Sequence, residues 1–225
     1  MYRPFDAFRP VGNVISVIGS GGKTTLLRHL SKRIPGRVIL TTSTHIFPFP
    51  DMPLVDTADG DRERALRQLR SALSSSRVAC LGCRQPSGKL SSPSEVIAFE
   101  ALANEADAII VEADGAAGRP LKAHRPWEPV IPTCTTMTIC VIGASGLGRP
   151  ASQVCHCPEL FAALAGISPD DMVEAAHVAK VVNREGLADC CLVNQIDVLP
   201  NPETARRLCE LIQMDAYSCS LAPHR

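Results

Sequence analysis

Short apolar segments alternate with amphipathic segments along the chain. The apolar segments cover residues 13–18, 37–42, 77–82, 107–112, 137–142 and 189–194. Helical spacing of apolar residues covers 23–33, 61–75, 93–106, 158–179 with a break at Ser168-Pro169, and 202–213. Because segments such as Ala108 to Val111 are apolar at every position, the strands are predicted to be buried on both faces. The pattern predicts an α/β fold in which a mostly parallel sheet is flanked by helices on both faces.

The composition agrees with this fold and narrows the class of partner. The chain has 225 residues, of which 45% are hydrophobic, and this is enough for one substantial core. Basic and acidic residues number 23 each, so no broad charged surface for nucleic acid or anionic lipid is expected. No apolar stretch approaches the roughly 20 residues that span a bilayer, and residues 1–12 lack the apolar segment of a secretory signal. We therefore expect a cytoplasmic protein without nucleic-acid or membrane partners.

A glycine-rich segment joins the first predicted strand to the first predicted helix. Its glycines allow several N–H groups and the helix N-terminus to face one anion, while Lys23 supplies a charge for the β- and γ-phosphates and Thr24 a hydroxyl for Mg²⁺. Val17 stands where G-x-x-x-x-G-K-[ST] has its first glycine, so the loop is a shorter variant. We predict a P-loop NTPase-like domain over residues 1–225. The predicted nucleotide-binding residues here are Gly19, Ser20, Gly21, Gly22, Lys23, Thr24 and Thr25.

The end of the second apolar segment carries hydroxyl and imidazole side chains. Ligands of open α/β sheets bind beyond the carboxyl ends of the strands, so this position is a candidate for phosphate, Mg²⁺ or substrate contact. The alternative is a β-branched strand end whose hydroxyls cap the backbone. The residues concerned are Thr41, Thr42, Thr44 and His45.

Two carboxylates end the fourth apolar segment. Glu112 and Asp114 are two residues apart, so they face the same side if the strand continues that far. A strand-end carboxylate opposite a phosphate loop holds Mg²⁺ or orients the nucleophile. We predict that Thr24, Glu112 and Asp114 bind the metal and that Lys23, Glu112 and Asp114 are catalytic. The alternative is a solvated carboxylate that caps a turn.

The sixth apolar segment is followed by Asn194-Gln195-Ile196-Asp197. This resembles the N-K-x-D element of GTP-binding proteins, in which the aspartate accepts hydrogen bonds from guanine, although Gln195 replaces the lysine. We predict that Asn194 and Asp197 bind the base, with ATP and GTP both left open. The alternative is an Asx turn ahead of Leu199-Pro200.

A Pro-rich loop around residues 115–136 interrupts the βα alternation, and long ordered loops are often functional. Its basic stretch contains Lys122 and His124, which are predicted to contact an anionic substrate, with solvated surface as the alternative. His156 is expected to contact the substrate or to cap a helix. The cysteines are expected to be reduced thiols, and a zinc site is disfavoured because the chain has no second C-x-x-C. The cysteine and histidine residues weighed for zinc are Cys80, Cys83, Cys155, His156 and Cys157.

Between Val14 and Asp197 these motifs form a recognisable series: GSGGKTT, TTSTHI, VEADGAAGRPLKAH, EPVIP, GASGLG, the segment with His156 and Glu159, and NQID. The series resembles the YqeC family, described as accessory proteins of selenium-dependent hydroxylases and also named selenium cofactor biosynthesis proteins. The resemblance implies a P-loop protein that serves the maturation of selenium-containing molybdenum hydroxylases, with a hydroxylase or its cofactor-maturation proteins as partners. The site residues that it implies beyond the glycine loop are Thr41, Thr42, Thr44, His45, Glu112, Asp114, Lys122, Glu128 and Pro129.

The leading interpretation is therefore a Mg²⁺-dependent accessory protein that binds and hydrolyses ATP or GTP. A nucleotide-gated binding or scaffold protein without significant turnover has the same sequence features. An ATP-dependent ligase is a less favoured alternative. Mur-type ligases have a similarly short G-x-x-G-K-[TS] loop, but their C-terminal domain is expected to have no room after Asp197.

Overall fold

All six strands predicted from the apolar segments occur in the structure, a computed structural model that describes residues 3–221. The strands are β1 Arg3–Pro4, β2 Val14–Gly19, β3 Val38–Thr42, β4 His45–Ile46, β5 Leu54–Asp56, β6 Val78–Arg84, β7 Leu90–Ser91, β8 Ala108–Glu112, β9 Leu121–Lys122, β10 Met137–Gly143, β11 Cys155–His156, β12 Cys190–Asn194 and β13 Asp215–Ser218. The α-helices are α1 Lys23–Arg33, α2 Arg62–Ser76, α3 Phe99–Leu102, α4 Ala151–Val154, α5 Pro158–Ala165, α6 Ala175–Glu185 and α7 Pro202–Leu211.

The main sheet has the strand order β1-β13-β12-β10-β2-β8-β3-β6-β7-β4, and β5 also pairs with β6. The pairs from β1 to β6 are parallel, whereas β7 pairs antiparallel with both β6 and β4. A separate parallel pair joins β9 to β11. The mostly parallel α/β sheet predicted from the sequence is confirmed. The loop after β2 lies between the ends of β8 and β10, the two strands that flank it.

Neighbouring residues of β2 pack into different layers because successive side chains of a strand point to opposite faces. Ile15 and Val17 enter a buried cluster with α1, whereas Val14 packs with α2 and Ile18 packs with α5, α6 and α7. All four residues are at most 1% exposed. Helices thus cover both faces, and full burial of each such side chain contributes roughly 1.5–3 kcal/mol.

The segment expected to form a helix over 93–106 is mostly irregular, and that prediction was wrong for most of its length. Only Phe99–Leu102 is helical, and the extended backbone of Ala98 precedes it. Upstream, the Ser94 amide donates to the Ser92 hydroxyl and the Val96 amide to the Pro93 carbonyl. The hydrogen bond to the Ser92 side chain competes with helix formation at this end of the segment, so the apolar spacing alone was misleading.

The expected break in the 158–179 segment is present, but it begins earlier than Ser168-Pro169. Helix α5 ends at Ala165, where Gly166 adopts φ +77°, and α6 begins at Ala175. Within the part of the chain that the structure describes, no helix has the length and apolar character needed to cross a bilayer.

Candidate functional site

The loop between β2 and α1 has the backbone that a phosphate cradle requires. Gly19, Gly21 and Gly22 all have positive φ values, of +87°, +82° and +131°. A Cβ on Gly21 would lie 2.3 Å from the Gly143 Cα, and one on Gly22 would lie 2.3 Å from the Asn194 Nδ2. Glycine is therefore needed at both positions for conformation and for space.

The amides at the start of α1 have no acceptor among residues 3–221. The first hydrogen bond of this helix runs from the Leu26 amide to the Gly22 carbonyl, and Gly22 makes no side-chain cap. The N–H groups from Gly21 to Thr25 precede that bond and donate to no described group. Unpaired amides at a helix N-terminus, where the helix dipole is positive, form an anion site.

Lys23 is buried beneath this loop, with 6% of its surface exposed. Its Nζ donates to the Gly19 carbonyl at 2.7 Å and lies 3.1 Å from the Asp114 Oδ1 and 3.8 Å from the Glu112 Oε1. The ammonium is held at the base of the loop because β8, which carries Glu112, is hydrogen-bonded directly to β2. The structure thus places both predicted carboxylates next to Lys23.

Glu112 ends β8 and faces the start of α1. The Thr24 hydroxyl donates to its Oε2 at 3.2 Å. Burial raises the pKa of Glu112, while the nearby charge of Lys23 and the hydrogen bond from Thr24 act in the opposite direction. A hydroxyl and a carboxylate oxygen at this distance are the type of ligand that Mg²⁺ prefers.

Asp114 lies deeper and is fully buried. Its Oδ2 accepts the Gly19 amide at 2.9 Å and lies 3.2 Å from the Lys122 Nζ and 2.8 Å from the His124 Nε2. Burial opposes ionisation, but the hydrogen bond from His124 and the charges of Lys23 and Lys122 outweigh it and hold the pKa at about 2. The carboxylate therefore joins the phosphate loop to the Pro-rich segment as a permanent anion.

His124 continues this buried cluster towards α6. Its Nδ1 lies 2.8 Å from the Glu185 Oε2, and its backbone amide donates to the Glu185 Oε1 at 2.7 Å. Burial favours the neutral imidazole, but the hydrogen bonds to Asp114 and Glu185 prevail and raise the pKa to about 9. The imidazole is thus a buried cation between two carboxylates at neutral pH.

Lys122 and Glu128 form the adjoining part of the cluster. The Lys122 Nζ lies 2.8 Å from the Glu128 Oε2 and donates to the Gly115 carbonyl at 2.5 Å. His156 pairs with Lys122 in register through β9 and β11. Burial, followed by the charge of Lys122, lowers the pKa of His156. Lys122 and His124, which were expected to contact substrate directly, are buried instead. They contact Asp114, which in turn accepts a hydrogen bond from the Gly19 amide of the phosphate loop.

The predicted site residues at the end of β3 and just after it divide into two groups. Thr41 and Thr42 are fully buried, and the Thr42 hydroxyl donates to the Glu112 carbonyl at 2.8 Å. Thr44 and His45 instead line a cleft at the surface. Thr41 and Thr42 are thus part of the buried interior, whereas Thr44 and His45 form part of the cleft wall.

Asn194 contacts the phosphate loop itself. Its Nδ2 donates to the Gly21 carbonyl at 2.8 Å, and its Oδ1 accepts the Leu221 amide at 3.0 Å. Gln195 lines the cleft above the loop, where its Oε1 accepts the Ser145 hydroxyl at 2.7 Å. Asp197 accepts the Ser220 hydroxyl at 2.6 Å and lies outside the residues that line that cleft.

A cleft of about 610 Å³ opens over the phosphate loop. One side carries Ser145 and Gln195, and the other carries Glu112 and His45. Across residues 3–221, no group of three or more His, Cys, Asp or Glu side chains is arranged to hold a metal ion. All ten cysteines are free thiols.

Two functional candidates were missed by sequence reasoning. Glu185 lies 61 residues from its partner His124 and carries no local signature, so only packing identifies it. Lys89 follows a turn in the Ser-rich segment, residues 85–96, and lines the cleft over the phosphate loop. A lone lysine in a polar segment is usually solvated, so the sequence offered no reason to select it.

Comparison with known proteins identifies the family. The family model described as YqeC protein matches residues 15–159, a range that contains the phosphate loop, the strand-end carboxylates and the Pro-rich segment. A protein of Escherichia coli strain K12, named "Uncharacterized protein YqeC", is 34% identical over 176 residues, which cover 75% of this chain and 67% of the relative. The family match and this similarity agree with the motifs assembled at the carboxyl edge of the sheet, and the chain belongs to the YqeC family.

Proposed function

We propose that the protein binds ATP or GTP with Mg²⁺ in the cleft over the phosphate loop and hydrolyses it. The observation that carries the proposal is the row of amides from Gly21 to Thr25, which donate to no described group and lie above the buried ammonium of Lys23. The N–H groups would bind phosphate oxygens, and Lys23 would neutralise the β- and γ-phosphates. The cleft extends from this row towards Ser145 and Gln195, where a base has room.

The oxygen groups beside the loop fit a magnesium ion. Thr24 and Glu112 would hold it, and when bound it would neutralise charge that develops on the phosphates. Asp114 is already engaged by the Gly19 amide, Lys23, Lys122 and His124, so its contacts favour a role in positioning the loop.

Binding and turnover are tested separately. Isothermal titration with ATP and GTP, each with Mg²⁺, should give saturable binding to the wild-type protein and to Glu112→Gln, with phosphate release only from the wild type. Thr24→Ala should weaken binding, whereas Thr24→Ser should retain it because the hydroxyl is kept. Lys32→Ala, at an exposed lysine of α1, is the matched control. Absence of binding of both nucleotides to the folded wild-type protein would refute the proposal.

A nucleotide-gated protein without turnover is the second candidate, and one observation favours it. Lys23 contacts Asp114, Asp114 contacts His124, and His124 contacts Glu185 at the end of α6. A triphosphate that draws Lys23 towards its phosphates would weaken the contact between Lys23 and Asp114. The contacts that link Asp114 to Glu185 through His124 would then change as well. Nucleotide binding with background phosphate release, together with a nucleotide-dependent change in hydrogen exchange of α6, would support this candidate over the NTPase.

The cellular role proposed for this nucleotide chemistry is maturation of selenium-dependent molybdenum hydroxylases, and its support is the family. The partners would be a hydroxylase or the proteins that mature its cofactor. Hydroxylase activity in a strain that lacks the gene should be restored by the wild-type protein and by Lys32→Ala, but not by Thr24→Ala. Full hydroxylase activity without the gene would exclude this role.

A further inference from the structure

A second cleft, of about 1000 Å³, adjoins the cleft over the phosphate loop. The two clefts share three lining residues, which are His45, Lys89 and Gly115. The remaining wall of the second cleft comes mainly from the Ser-rich segment after β6 and from the Pro-rich segment that includes Trp127. The family resemblance implies site residues on this wall, namely Thr44, His45 and Glu128, but neither it nor the nucleotide proposal says which ligand this space binds.

The strand order decides which end of a nucleotide this second cleft would meet. Ser145 and Gln195 follow β10 and β12, which lie on one side of β2. Glu112 ends β8 and His45 follows β3, which lie on the other side, and the second cleft continues in that direction to β6 and β7. A nucleotide with its base near Gln195 and its phosphates in the loop therefore points its terminal phosphate at the second cleft.

The chemistry of the second cleft suits an anion. Lys89 stacks over the Phe47 ring at 5.2 Å, and no carboxylate of the described residues lies within 4 Å of its ammonium. Glu128 also lines the cleft, but Lys122 neutralises it at 2.8 Å, which leaves Glu95 as the other carboxylate on the wall. Six residues with hydroxyl side chains also line the cleft, which are Ser43, Thr44, Ser87, Ser91, Ser92 and Ser94.

We propose that the second cleft binds a small anionic molecule, carrying a phosphate or a carboxylate group, next to the terminal phosphate of the nucleotide. Lys89 is its charged contact, and the serine hydroxyls supply hydrogen bonds. The position beside the terminal phosphate rests on the proposed nucleotide site. The anion site itself rests only on Lys89 and the walls of the second cleft.

Trp127 provides a reporter for this cleft. It is the single tryptophan of the chain, it lines the second cleft, and 69% of its surface is exposed. Its ring lies 5.8 Å from the Arg125 guanidinium. A molecule that enters the cleft changes the solvent contact of this ring, and intrinsic fluorescence reads that change without a label.

The test titrates the protein with glycerol 3-phosphate and, separately, with citrate while a non-hydrolysable nucleotide and Mg²⁺ saturate the phosphate loop. Glycerol is the uncharged control. Trp127 fluorescence should change saturably with at least one of the anions, with a dissociation constant below about 10 mM. Lys89→Ala should weaken the binding of that anion at least about tenfold, and Lys89→Arg should retain it because the charge is kept. Lys32→Ala should behave as the wild type.

Two outcomes would overturn the proposal. One is the absence of a saturable response to both anions, and the other is a response that glycerol reproduces or that Lys89→Ala leaves unchanged. Calorimetry on the same samples separates this result from the nucleotide proposal. A saturable, Lys89-dependent anion response in a protein that binds no nucleotide would contradict the proposed function and leave the anion site standing.

Discussion

The buried His124 cation makes the stability of the protein depend on pH in a defined window. Its pKa is raised to about 9 in the folded protein, against 6.5 for an ordinary histidine. The folded state thus binds one more proton than the unfolded state between these values. The stabilisation is complete below pH 6.5 and is lost as the pH rises through about 9. A shift of this size corresponds to about 3 kcal/mol in total, or about 1.4 kcal/mol per pH unit inside the window.

Urea unfolding at pH 7.0, 7.75 and 8.5, followed by circular dichroism, measures the slope. In this pH range Asp114, with a pKa of about 2, stays ionised throughout. The pKa of His156 is lowered from 6.5, so its titration affects the stability below this range. Burial raises the pKa of buried thiols such as Cys80 from 9.0 to about 11, so these thiols begin to affect the stability as the pH approaches 9.0. Their effect is common to the wild type and to variants of the His124 cluster, so the difference between the slopes belongs to His124. The contribution of His124 to the free energy of unfolding should fall by about 2 kcal/mol from pH 7.0 to 8.5.

Two variants test whether the pH dependence of the free energy of unfolding arises from the buried cluster of Asp114, His124 and Glu185. Glu185→Gln keeps hydrogen-bonding capacity but removes one anion, so it should lower the pKa of His124 and flatten the slope. His45→Gln removes an exposed imidazole outside the buried cluster and should keep the wild-type slope. A wild-type stability that does not change between pH 7.0 and 8.5, or a Glu185→Gln variant with the full slope, would refute the assignment of a buried charged imidazole.

Three further predictions concern the loop and the core. Gly22→Ala should lower the free energy of unfolding by about 1–3 kcal/mol and abolish nucleotide binding, because its Cβ would lie 2.3 Å from the Asn194 Nδ2. Gly88→Ala, also at positive φ but in open space, should lower it less and leave binding intact. Equal losses of stability in thermal melts would contradict the contact with Asn194. Asn194→Ala removes the hydrogen bond to the Gly21 carbonyl, so it should lower the free energy of unfolding by about 1–3 kcal/mol and weaken nucleotide affinity. Unchanged affinity by calorimetry would show that this hydrogen bond does not support nucleotide binding by the loop. Leu69→Ala, at a fully buried position of α2, should lower the free energy of unfolding measured with urea by about 2–5 kcal/mol and leave nucleotide affinity unchanged. A loss of affinity in the folded variant would contradict the separation of this part of the core from the nucleotide site.

Most of the fold was accessible from sequence because its signals are local. Each long strand is a run of apolar residues, and Gly19 to Lys23 joins one run to a helix through conformations that favour glycine. The convergence of Glu112 with Lys23 was also accessible, since Glu112 ends one strand, Lys23 follows another, and ligand sites of parallel sheets lie at that edge. The prediction of a helix over 93–106 failed at its start, where the Ser92 side chain accepts a hydrogen bond from the Ser94 amide.

The sequence by itself determined that this protein is an α/β protein with a glycine-rich loop at the carboxyl edge of its sheet. Only the tertiary structure decided that Asn194 binds the loop backbone, that Glu185 holds His124, and that Lys89 stands between two clefts. The physical reason is distance along the chain. Periodicity and turn chemistry act over a few residues, whereas the contact between His124 and Glu185 spans 61 residues and depends on how α6 packs against the sheet.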